Sequence, residues 1–486
     1  MLLGLDLGTS SVKALLMEEG GTSVGEGSAP YSVRAPHPGW AESSPEDWWN
    51  AVLLATDAAV GSRGPEVTAL GLSGQMHGVV LADERGRPLR PAILWADARS
   101  DRDLAAYHGL DENLRHRLAN PLCVGMAGPS LLWLRDNEPG NYASARWALQ
   151  PKDWLRMRLT GEAAAEPSDA SATLLYDLLA DDWSQRVVEE IGLRTELLAP
   201  LVQPASIAGT LTREAAHALG LRKGLPVAAG AADTAAAILG AGLLRPGPVQ
   251  LTVGTGGQLV TPKDGPDPDP HGRTHLYRAA VPGLWYSMAA IQNAGLALEW
   301  VRKVLGASWK DVYEEAFAVP PGSGGVAFLP YLSGERTPRF DAGARGAWTG
   351  LGLDHTRGHL LRAALEGVAF ALREGLEALE ALGVTAPELR LAGGGASGAG
   401  GSSGEPWQQL LADVLGRPLW LLPDEISAVA SARGAAFLAG LASGVYPAAG
   451  DTLVLIPGPE RSIRPGEADY EAAYMHYTEL YPRLYG

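Results

Sequence analysis

The sequence predicts a mixed α/β protein with two domains built on one plan, and three observations support this fold class. A chain of 486 residues exceeds the size at which a single core keeps growing, so we expect at least two domains. Strand-like runs alternate with helical segments, which favours a layered α/β architecture. A strand, a glycine-rich turn and another strand open the chain at GLDLGTSS (4–11), and VQLTVGTGGQLV (249–260) repeats this order.

The first half contains predicted strands and a long helix whose order suits a sheet covered by helices. In chain order they are LLGLDL (2–7), SVKALLM (11–17), a third run near Thr22 to Gly27, the helix PEDWWNAVLLATDAAV (45–60), and the strands VTALGLS (67–73) and LPVAAG (225–230). The first three runs predict a β-meander with tight turns. A further helix starts near Asp233.

Arg245-Pro246-Gly247-Pro248 interrupts this pattern and predicts a hinge over 243–249, which divides the chain into 1–243 and 244–486. After the strands at 249–260, the second half continues with the helix HLLRAALEGVAFALREGLEAL (359–379), the strand ELRLAGGG ending at Gly395, and the helices EPWQQLLADVLG (405–416) and SAVASARGAAFLAGLASG (427–444). A low-complexity Gly/Ser segment (397–404) lies between the strand and its following helix, and we expect it to be mobile.

Composition limits the classes of partner. The chain carries 39 Lys and Arg against 55 Asp and Glu, a formal charge of −16, which argues against binding to nucleic acid or to an anionic membrane. Cys123 is the only cysteine, so no intrachain disulfide forms and a thiolate metal site is not expected. The sequence shows no signal peptide and no apolar run of about 18 residues, so we expect a cytoplasmic protein. It leaves the oligomeric state open, with a homodimer among the assemblies it permits.

Two glycine-rich turns are candidates for binding phosphate. In GLDLGTSS, the small residues of the turn expose successive backbone N–H groups, which can form an anion-binding nest. Asp6, just before the turn, could hold a divalent cation against bound phosphates. A plain hairpin with a solvated Asp6 is the alternative, and the same two interpretations apply to Thr255 and the glycines of TVGTGG. Because each half has one such turn, the pair favours a phosphate clamped from both domains.

Asp233 is an isolated acid in GAADTAAAILGAG (230–242). Asp is a favoured N-cap, so the residue could simply begin a helix. A carboxylate among small apolar residues at the mouth of a cleft could instead be a general base that awaits a hydroxyl group. The local pattern leaves both interpretations open, and the dipole at the start of a helix is expected to keep Asp233 ionised.

Other polar groups follow predicted strands. GQMHG (74–78) comes directly after a buried strand, where open α/β sheets bind ligands, although a solvated loop histidine is the ordinary alternative. ILWADAR (93–99) offers an aromatic platform at Trp95, and we favour a structural ion pair for Asp97 and Arg99. His271 and His275 lie in a Pro/Asp/Gly-rich loop, for which we favour a plain loop over a metal site. The sequence lacks the P-loop and the motifs of protein kinases and zinc proteases.

Taken together, these motifs resemble those of the FGGY family of carbohydrate kinases, within the actin/hexokinase-type superfamily. The resemblance covers nearly the whole chain and is strongest for the branch that phosphorylates xylulose. It rests on the order and spacing of GLDLGTSSVKALL, PHPGWAESSPEDWW, GLSGQMHG, RPAILWADAR, PKDWLRMRLTG, GAADTAAAILGAG, VGTGG, LPYLSGERTPRFDAGARGAWTGL and LAGGGA.

This resemblance implies two ribonuclease-H-like domains around a central cleft, with the sugar held mainly by residues 1–243 and ATP mainly by residues 244–486. It implies ATP-dependent phosphorylation of D-xylulose to D-xylulose 5-phosphate, in which Asp233 takes the proton from the attacking hydroxyl and Asp6 acts through Mg²⁺. The implied ATP-binding residues are Gly8, Thr9, Ser10, Thr255, Gly256, Gly394 and Gly395. The implied sugar-binding residues are Gln75, Met76, His77, Trp95, Asp233 and Thr234, and the Met-His pair differs from the Arg-Glu pair of glycerol kinases.

Three features depart from the family pattern. Ala96 and Ala98 stand where relatives generally carry a polar residue and a glycine, Ser130 replaces a common lysine, and the Gly/Ser segment 397–404 is longer than usual. The alternatives are therefore another kinase of this family, acting on ribulose, gluconate or glycerol, or a non-enzymatic actin-like nucleotide switch. The QMHG stretch speaks against the first alternative, and the two acids together with the complete sugar-side segment speak against the second.

Overall fold

Two seven-stranded mixed sheets form the framework of the computed structural model, which describes residues 1–392 and 404–486. The first sheet contains β1 (Leu2–Leu7), β2 (Ser11–Met17), β3 (Ser23–Pro30), β4 (Ala69–Gly74), β5 (Ile207–Thr210), β6 (Pro226–Ala228) and β7 (Ala231–Ala232). The second contains β8 (Val249–Val253), β9 (Gly257–Lys263), β10 (His275–Arg278), β11 (Trp285–Ile291), β12 (Leu389–Ala392), β13 (Leu419–Leu421) and β14 (Arg461–Ile463).

The two sheets share a pairing pattern, as the repeated strand–turn–strand order predicts. The first has the order β5-β6-β4-β1-β2-β3, with β7 paired to β4, and the second has the order β10-β11-β9-β8-β12-β13-β14. Each sheet contains a meander of antiparallel strands. The first strand of each meander also pairs in parallel with a further strand, β1 with β4 and β8 with β12. The predicted meander and the strand after each glycine-rich turn are thus confirmed.

Helices cover these sheets. The longer ones are α1 (Pro45–Val60), α2 (Glu112–Leu118), α3 (Ala127–Asn137), α4 (Pro151–Thr160), α5 (Arg213–Leu219), α6 (Asp233–Gly240), α7 (Gly295–Val304), α8 (Trp309–Phe317), α9 (Arg357–Glu380), α10 (Glu405–Leu415), α11 (Ala430–Ala442) and α12 (Glu471–Thr478). Shorter helical segments span Ala105–His108, Pro139–Ser144, Pro167–Ala170, Gln185–Glu190, Asp424–Ser427 and Leu480–Tyr485. Small two-stranded sheets pair Glu42–Ser43 with Ala92–Ile93, Val80–Ala82 with Trp147–Leu149, Tyr176–Asp177 with Asp182–Trp183, and Ala327–Leu329 with Ala347–Thr349. The helices predicted at 45–60, 359–379, 405–416 and 427–444 correspond to α1, α9, α10 and α11.

The apolar residues form a separate core in each half and a third cluster between them. α1 and α4 pack on the first sheet, whereas α9 and α10 pack on the second. The third cluster contains residues of α6 and α11. In the described ranges 1–392 and 404–486, no helix combines the length and the apolar character needed to cross a membrane.

α11 belongs to the second half of the sequence but lies on the first sheet. A Cβ atom on Gly4 of β1 would meet the carbonyl oxygen of Ala432 at 1.9 Å, and one on Gly71 of β4 would meet that of Ala435 at 1.9 Å. Glycine at these two positions therefore allows the helix to approach the strands closely. The same helix contacts α6, which begins at Asp233, so it fixes the position of that helix relative to β1.

Candidate active site

Asp6 lies near the end of β1, at the edge of a polar cavity. The parallel pairing of β1 with β4 places it opposite Ser73, whose hydroxyl donates a hydrogen bond to Asp6 Oδ1 at 2.7 Å. Burial raises the pKa of Asp6, while the Ser73 bond and the charge of Lys13 act in the opposite direction. Lys13 Nζ donates a hydrogen bond to the carbonyl oxygen of Ala428 at 2.7 Å, and Ala428 belongs to the second half of the chain.

Asp233 is the first residue of α6, and the N-cap is Ala232. The N-cap interpretation is therefore wrong by one residue, because the chain is still extended at Ala232 and enters the helix at Asp233. Asp233 Oδ1 accepts hydrogen bonds from the Thr234 backbone N–H at 2.6 Å and from the Thr234 hydroxyl at 3.2 Å.

Burial, followed by the negative charge of Asp6, raises the pKa of Asp233 to about 7, against the smaller lowering effect of the Thr234 bonds. A carboxylate at a helix N-terminus was expected to stay ionised through the helix dipole. That expectation is wrong for this residue, because removal from water and a nearby carboxylate outweigh the helix dipole. The side chain instead titrates near neutral pH, the range in which a general base works best.

Asp6, Asp233 and Thr234 line one cavity of about 210 Å³. Its other walls are mostly polar or small and come from both halves: Lys13, Ala237, Gln250, Thr252, Gln258, Ala392, Ser427, Ala428, Ala430 and Ser431. Within the described ranges no cluster of three or more His, Cys, Asp or Glu residues could hold a metal by itself. Two carboxylates that repel each other beside an open cavity do fit Mg²⁺, which is usually held by one or two carboxylates together with phosphate and water oxygens.

The first glycine-rich turn, residues 8–10, is held from several sides. Gly8 N–H donates to the carbonyl oxygen of Ser11 at 3.1 Å, which closes the turn between β1 and β2. The carbonyl oxygen of Gly8 accepts from the Tyr31 hydroxyl and from Gln75 Nε2. Trp95 Nε1 donates to Thr9 Oγ1 at 2.9 Å. Two of the implied sugar-binding side chains, Gln75 and Trp95, therefore contact the first glycine-rich turn directly.

The second turn connects β8 to β9 and carries Thr255 and Gly256. Gly254 N–H donates to the carbonyl oxygen of Gly256. The carbonyl oxygen of Thr255 accepts a hydrogen bond from the N–H of Leu296 in α7. A Cβ atom on Gly256 would lie 2.7 Å from the carbonyl oxygen of Ile291, so the turn needs glycine there. Gln258, just after this turn, lines the cavity of Asp6 and Asp233.

Met76 and His77 are buried between the two halves, so the solvated-histidine alternative is wrong. Tyr286 of β11 donates its hydroxyl to Met76 Sδ at 3.7 Å. His77 has a left-handed backbone with φ of 70°, a conformation uncommon for residues other than glycine. Its Nδ1 lies 2.7 Å from the carbonyl oxygen of Ala172; because a carbonyl only accepts, Nδ1 carries the proton and Nε2 is left as an acceptor.

A buried ionic cluster behind Asp233 was not predicted. Lys152 Nζ lies 2.5 Å from Asp153 Oδ1, 3.3 Å from Glu166 Oε1 and 3.2 Å from Asp169 Oδ2. Ser168 Oγ donates to Glu166 Oε1 at 2.8 Å, and it accepts the backbone N–H of Ala232 at 2.9 Å. The cluster thus holds the backbone one residue before the candidate base. The only sequence signal was the charged start of PKDWLRMRLTG, whose purpose depends on residues far away in the chain.

The structure gives different outcomes for the remaining residues that the sequence analysis singled out. Gly394 and Gly395 lie outside the described residues, as does most of segment 397–404. Asp97 and Arg99 form the predicted structural ion pair at 2.7 Å. His275 does not lie in the predicted loop but begins β10, where it is buried and stacks on Tyr277. Ala96 and Ala98 are exposed, whereas Ser130 is buried in α3.

Comparison with known proteins shows the family to which this chain belongs. The model of the FGGY family of carbohydrate kinases, N-terminal domain, matches residues 1–240, and the model of its C-terminal domain matches residues 249–443. Together these matches cover most of the chain, which therefore belongs to the FGGY family of carbohydrate kinases.

Individual relatives match over almost their whole length. The xylulose kinase of Escherichia coli strain K12 is 36% identical over 491 residues, covering 100% of this chain and 98% of that protein. The crystal structure of a xyloylose kinase from Brucella ovis has a TM-score of 0.90 at 38% identity and covers 99% of each chain. A gluconate kinase structure from Lactobacillus acidophilus has a TM-score of 0.92 at 24% identity, covering 99% of this chain and 97% of that one, and this similarity shows the fold alone.

Proposed function

We propose that the protein transfers the terminal phosphoryl group of ATP to the 5-hydroxyl of D-xylulose, which gives D-xylulose 5-phosphate. One observation supports this most directly: Asp233, whose pKa is raised to about 7, and Asp6 face the same cavity. The identity of the sugar is supported by the similarity to xylulose kinases over the full chain.

In this proposal Asp233 is the general base. A sugar hydroxyl has a pKa far above 7, so a carboxylate helps by accepting its proton as the bond to phosphorus forms, an effect on the order of 10²–10⁴. Thr234 holds one oxygen of the carboxylate, Oδ1, by two hydrogen bonds. We assign the other oxygen, Oδ2, to the attacking hydroxyl.

The phosphates would lie between the turns at 8–10 and 254–256, whose backbone amides suit an anion in a protein of net charge −16. Asp6 would hold Mg²⁺ on the phosphates, together with water. A bound Mg²⁺ neutralises charge on the transferring group. We assign sugar and base to residues 1–243 and most of the ATP site to residues 244–486, with α11 as a helix from the second half that supports the first sheet.

The neutral state of His77 suits a sugar site. Burial lowers the pKa of His77 to about 4, against the raising effect of its bond to Ala172. The ring therefore binds without charge, and its Nε2 can accept a hydrogen bond from a sugar hydroxyl. Gln75 and Trp95, which contact the turn at 8–10, would place the sugar next to the transferring phosphate. A cytoplasmic location stays a prediction.

The experiment that tests this function is an assay of ADP release with D-xylulose, D-ribulose, L-ribulose, gluconate, xylitol and glycerol. We expect the largest kcat/KM for D-xylulose. A clear preference for another compound would assign the chain to a different substrate within the family. Failure of every compound to stimulate ADP release would contradict the proposal and favour a nucleotide switch.

A further inference from the structure

Arg336 belongs to the second half of the chain, but its side chain lies over a residue of the first half. The carbon at the centre of its guanidinium group is 5.6 Å from the centroid of the Trp95 ring. This distance is within the range of about 6 Å in which a cation is attracted to an aromatic face. Trp95 is the aromatic wall of the proposed sugar site, so Arg336 crosses the cleft at that site.

The guanidinium group of Arg336 has unused hydrogen-bond donors. Among residues 1–392 and 404–486 it has no hydrogen-bond or ion-pair partner, and its contact with Trp95 uses the face of the ring. Two other arginines of the second half have ion-pair partners within the protein: Arg339 pairs with Glu374, and Arg278 lies 2.7 Å from Asp181. A half-buried guanidinium with free N–H groups loses hydration without compensation, so it favours a ligand that supplies acceptor oxygens.

The backbone that carries Arg336 is fixed. Glu335 Oε1 accepts the N–H of Gln292 at 2.6 Å and that of Arg336 at 2.8 Å. Thr337 N–H donates to the carbonyl oxygen of Ala290 in β11 at 2.9 Å. β11 also supplies the carbonyl oxygen of Ile291 against Gly256. The same strand therefore supports both Arg336 and the second phosphate turn.

The surroundings of Arg336 come from both halves and, among the described residues, give it no ion pair. A cavity of about 150 Å³ beside it is lined by Asp101, Cys123 and Val124 from the first half and by Gln292 and Ser333 from the second, and the Asp101 carboxylate is not within ion-pair distance of the guanidinium group. Burial raises the pKa of Glu335 to about 8, against the lowering effect of the two backbone bonds it accepts, so this neighbour is mainly neutral at pH 7. Burial lowers the pKa of His77 and His275, and the charge of Arg336 adds to that effect.

We propose that Arg336 is a sugar-binding residue that the second half supplies, and that it donates hydrogen bonds to substrate oxygens remote from the attacking hydroxyl. The orientation of Trp95 supports this placement, because its Nε1 edge bonds to Thr9 of the phosphate turn while Arg336 lies over its face. Arg336 thereby makes sugar binding depend on the arrangement of both halves.

This inference rests on the proposed function, and it extends that function to specificity. A 2-ketopentose closes its furanose ring through the 5-hydroxyl, so phosphorylation at that oxygen requires the open chain with a free C2 carbonyl. A carbonyl oxygen only accepts hydrogen bonds, and a guanidinium group only donates them. Arg336 therefore suits the C2 carbonyl of the ketose better than the C2 hydroxyl of xylitol, which can also accept from the guanidinium group but must then direct its own proton to another acceptor.

The test compares Arg336→Ala, Arg336→Gln and Arg336→Lys with the unmodified enzyme. Steady-state kinetics give the KM for D-xylulose and for ATP, and calorimetry gives the Kd for D-xylulose without nucleotide. We expect Arg336→Ala to raise the KM and the Kd for D-xylulose about tenfold to a hundredfold, the effect of losing hydrogen bonds from a charged donor. The KM for ATP should not change, the preference for D-xylulose over xylitol should fall, and Arg336→Lys should keep part of the affinity.

Arg345→Ala is the matched control, because Arg345 lies in the same loop, is exposed, and bonds to the carbonyl oxygens of Ala342 and Ala344. It should behave as the unmodified enzyme does. A folded Arg336→Ala variant with unchanged affinity for D-xylulose would overturn the inference, as would a rise confined to the KM for ATP, which would place the guanidinium group on the nucleotide. If the unmodified enzyme phosphorylates no sugar, the proposed function fails instead. Calorimetry with D-xylulose then still tests the role of Arg336.

Discussion

Trp95 donates its indole N–H to Thr9 Oγ1 at 2.9 Å, so the aromatic wall of the proposed sugar site is bonded to the turn proposed to bind phosphate. Movement of either residue is therefore transmitted to the other. Positioning of the two reactants provides much of the rate of phosphoryl transfer, so this bond has a direct functional consequence.

The first prediction concerns this bond. Thr9→Val removes the acceptor at nearly constant volume and should lower kcat/KM for the sugar about fivefold to tenfold, the worth of one hydrogen bond. Trp95→Phe, which keeps a ring but lacks the indole donor, should add little in the Thr9→Val background, because both changes break the same bond. Thr9→Ser keeps the hydroxyl and is the control. Fully additive effects in the double variant would show that the bond does not couple the two sites.

Removal of the candidate base gives the second prediction. Asp233→Ala should retain ATP binding but lower kcat for sugar phosphorylation by a factor on the order of 10²–10⁴. Calorimetry with ATP and the ADP-release assay measure the two quantities separately. Asp57→Asn, on the exposed side of α1, should leave both unchanged. Near-normal turnover of a folded Asp233→Ala enzyme would disprove the assignment.

The pH dependence supplies a third prediction. Asp233 accepts a proton only when ionised, and its pKa is raised to about 7 by burial and by Asp6. The kcat/KM for the sugar should therefore rise with pH through a limb near pH 7 and level off above it. Thr234→Val removes a hydrogen bond that stabilises the ionised form, so it should move this limb to higher pH. A limb that stays near the ordinary pKa of aspartate in both enzymes would contradict the assignment.

The fourth prediction concerns the buried ionic cluster. Lys152→Met leaves Glu166 and Asp169 without the cation they pair with in a region closed to water, although Asp153 keeps its pair with Arg156. The change should lower the free energy of unfolding by about 3–5 kcal/mol. Urea denaturation measures this change. The exposed pair of Lys310 and Glu314 is the control, because Lys310→Met should have almost no effect. Equal stability of the two variants would mean that the cluster contributes little to folding.

Sequence reasoning predicted the two sheets and their glycine-rich turns, because periodic apolar runs and turn residues are local signals. It also named Asp6 and Asp233 as candidate acids, and the structure brings both to one cavity. It placed Asp233 at the start of a helix, and the helix begins at that residue; the N-cap alternative fails because the N-cap is Ala232, where the backbone is still extended. It also predicted an ionised Asp233, because the local sequence shows the helix N-terminus but neither the burial of the side chain nor the approach of Asp6.

The sequence alone did not predict the contacts of Ser73, Ser168 and Arg336. Ser73 meets Asp6 only through the parallel register of β1 and β4, and Ser168 meets Ala232 only after the chain has folded back. Alignment of the two predicted strands could have suggested Ser73. Arg336 lies within a recognisable motif, but no local pattern shows that its side chain crosses to Trp95.

The position of α11 has a consequence for biosynthesis. The surface of β1 and β4 that carries Gly4 and Gly71 is covered by a helix that ends at Ala442, near the end of the 486-residue chain. During translation, the strands of the first sheet are synthesised well before α11, the helix that covers them. During translation the nascent first half therefore carries an apolar surface that only the last part of the chain can cover, and such exposed surfaces promote aggregation. Chains that end before residue 430 should accordingly bind chaperones or precipitate rather than give a separate sugar-binding domain.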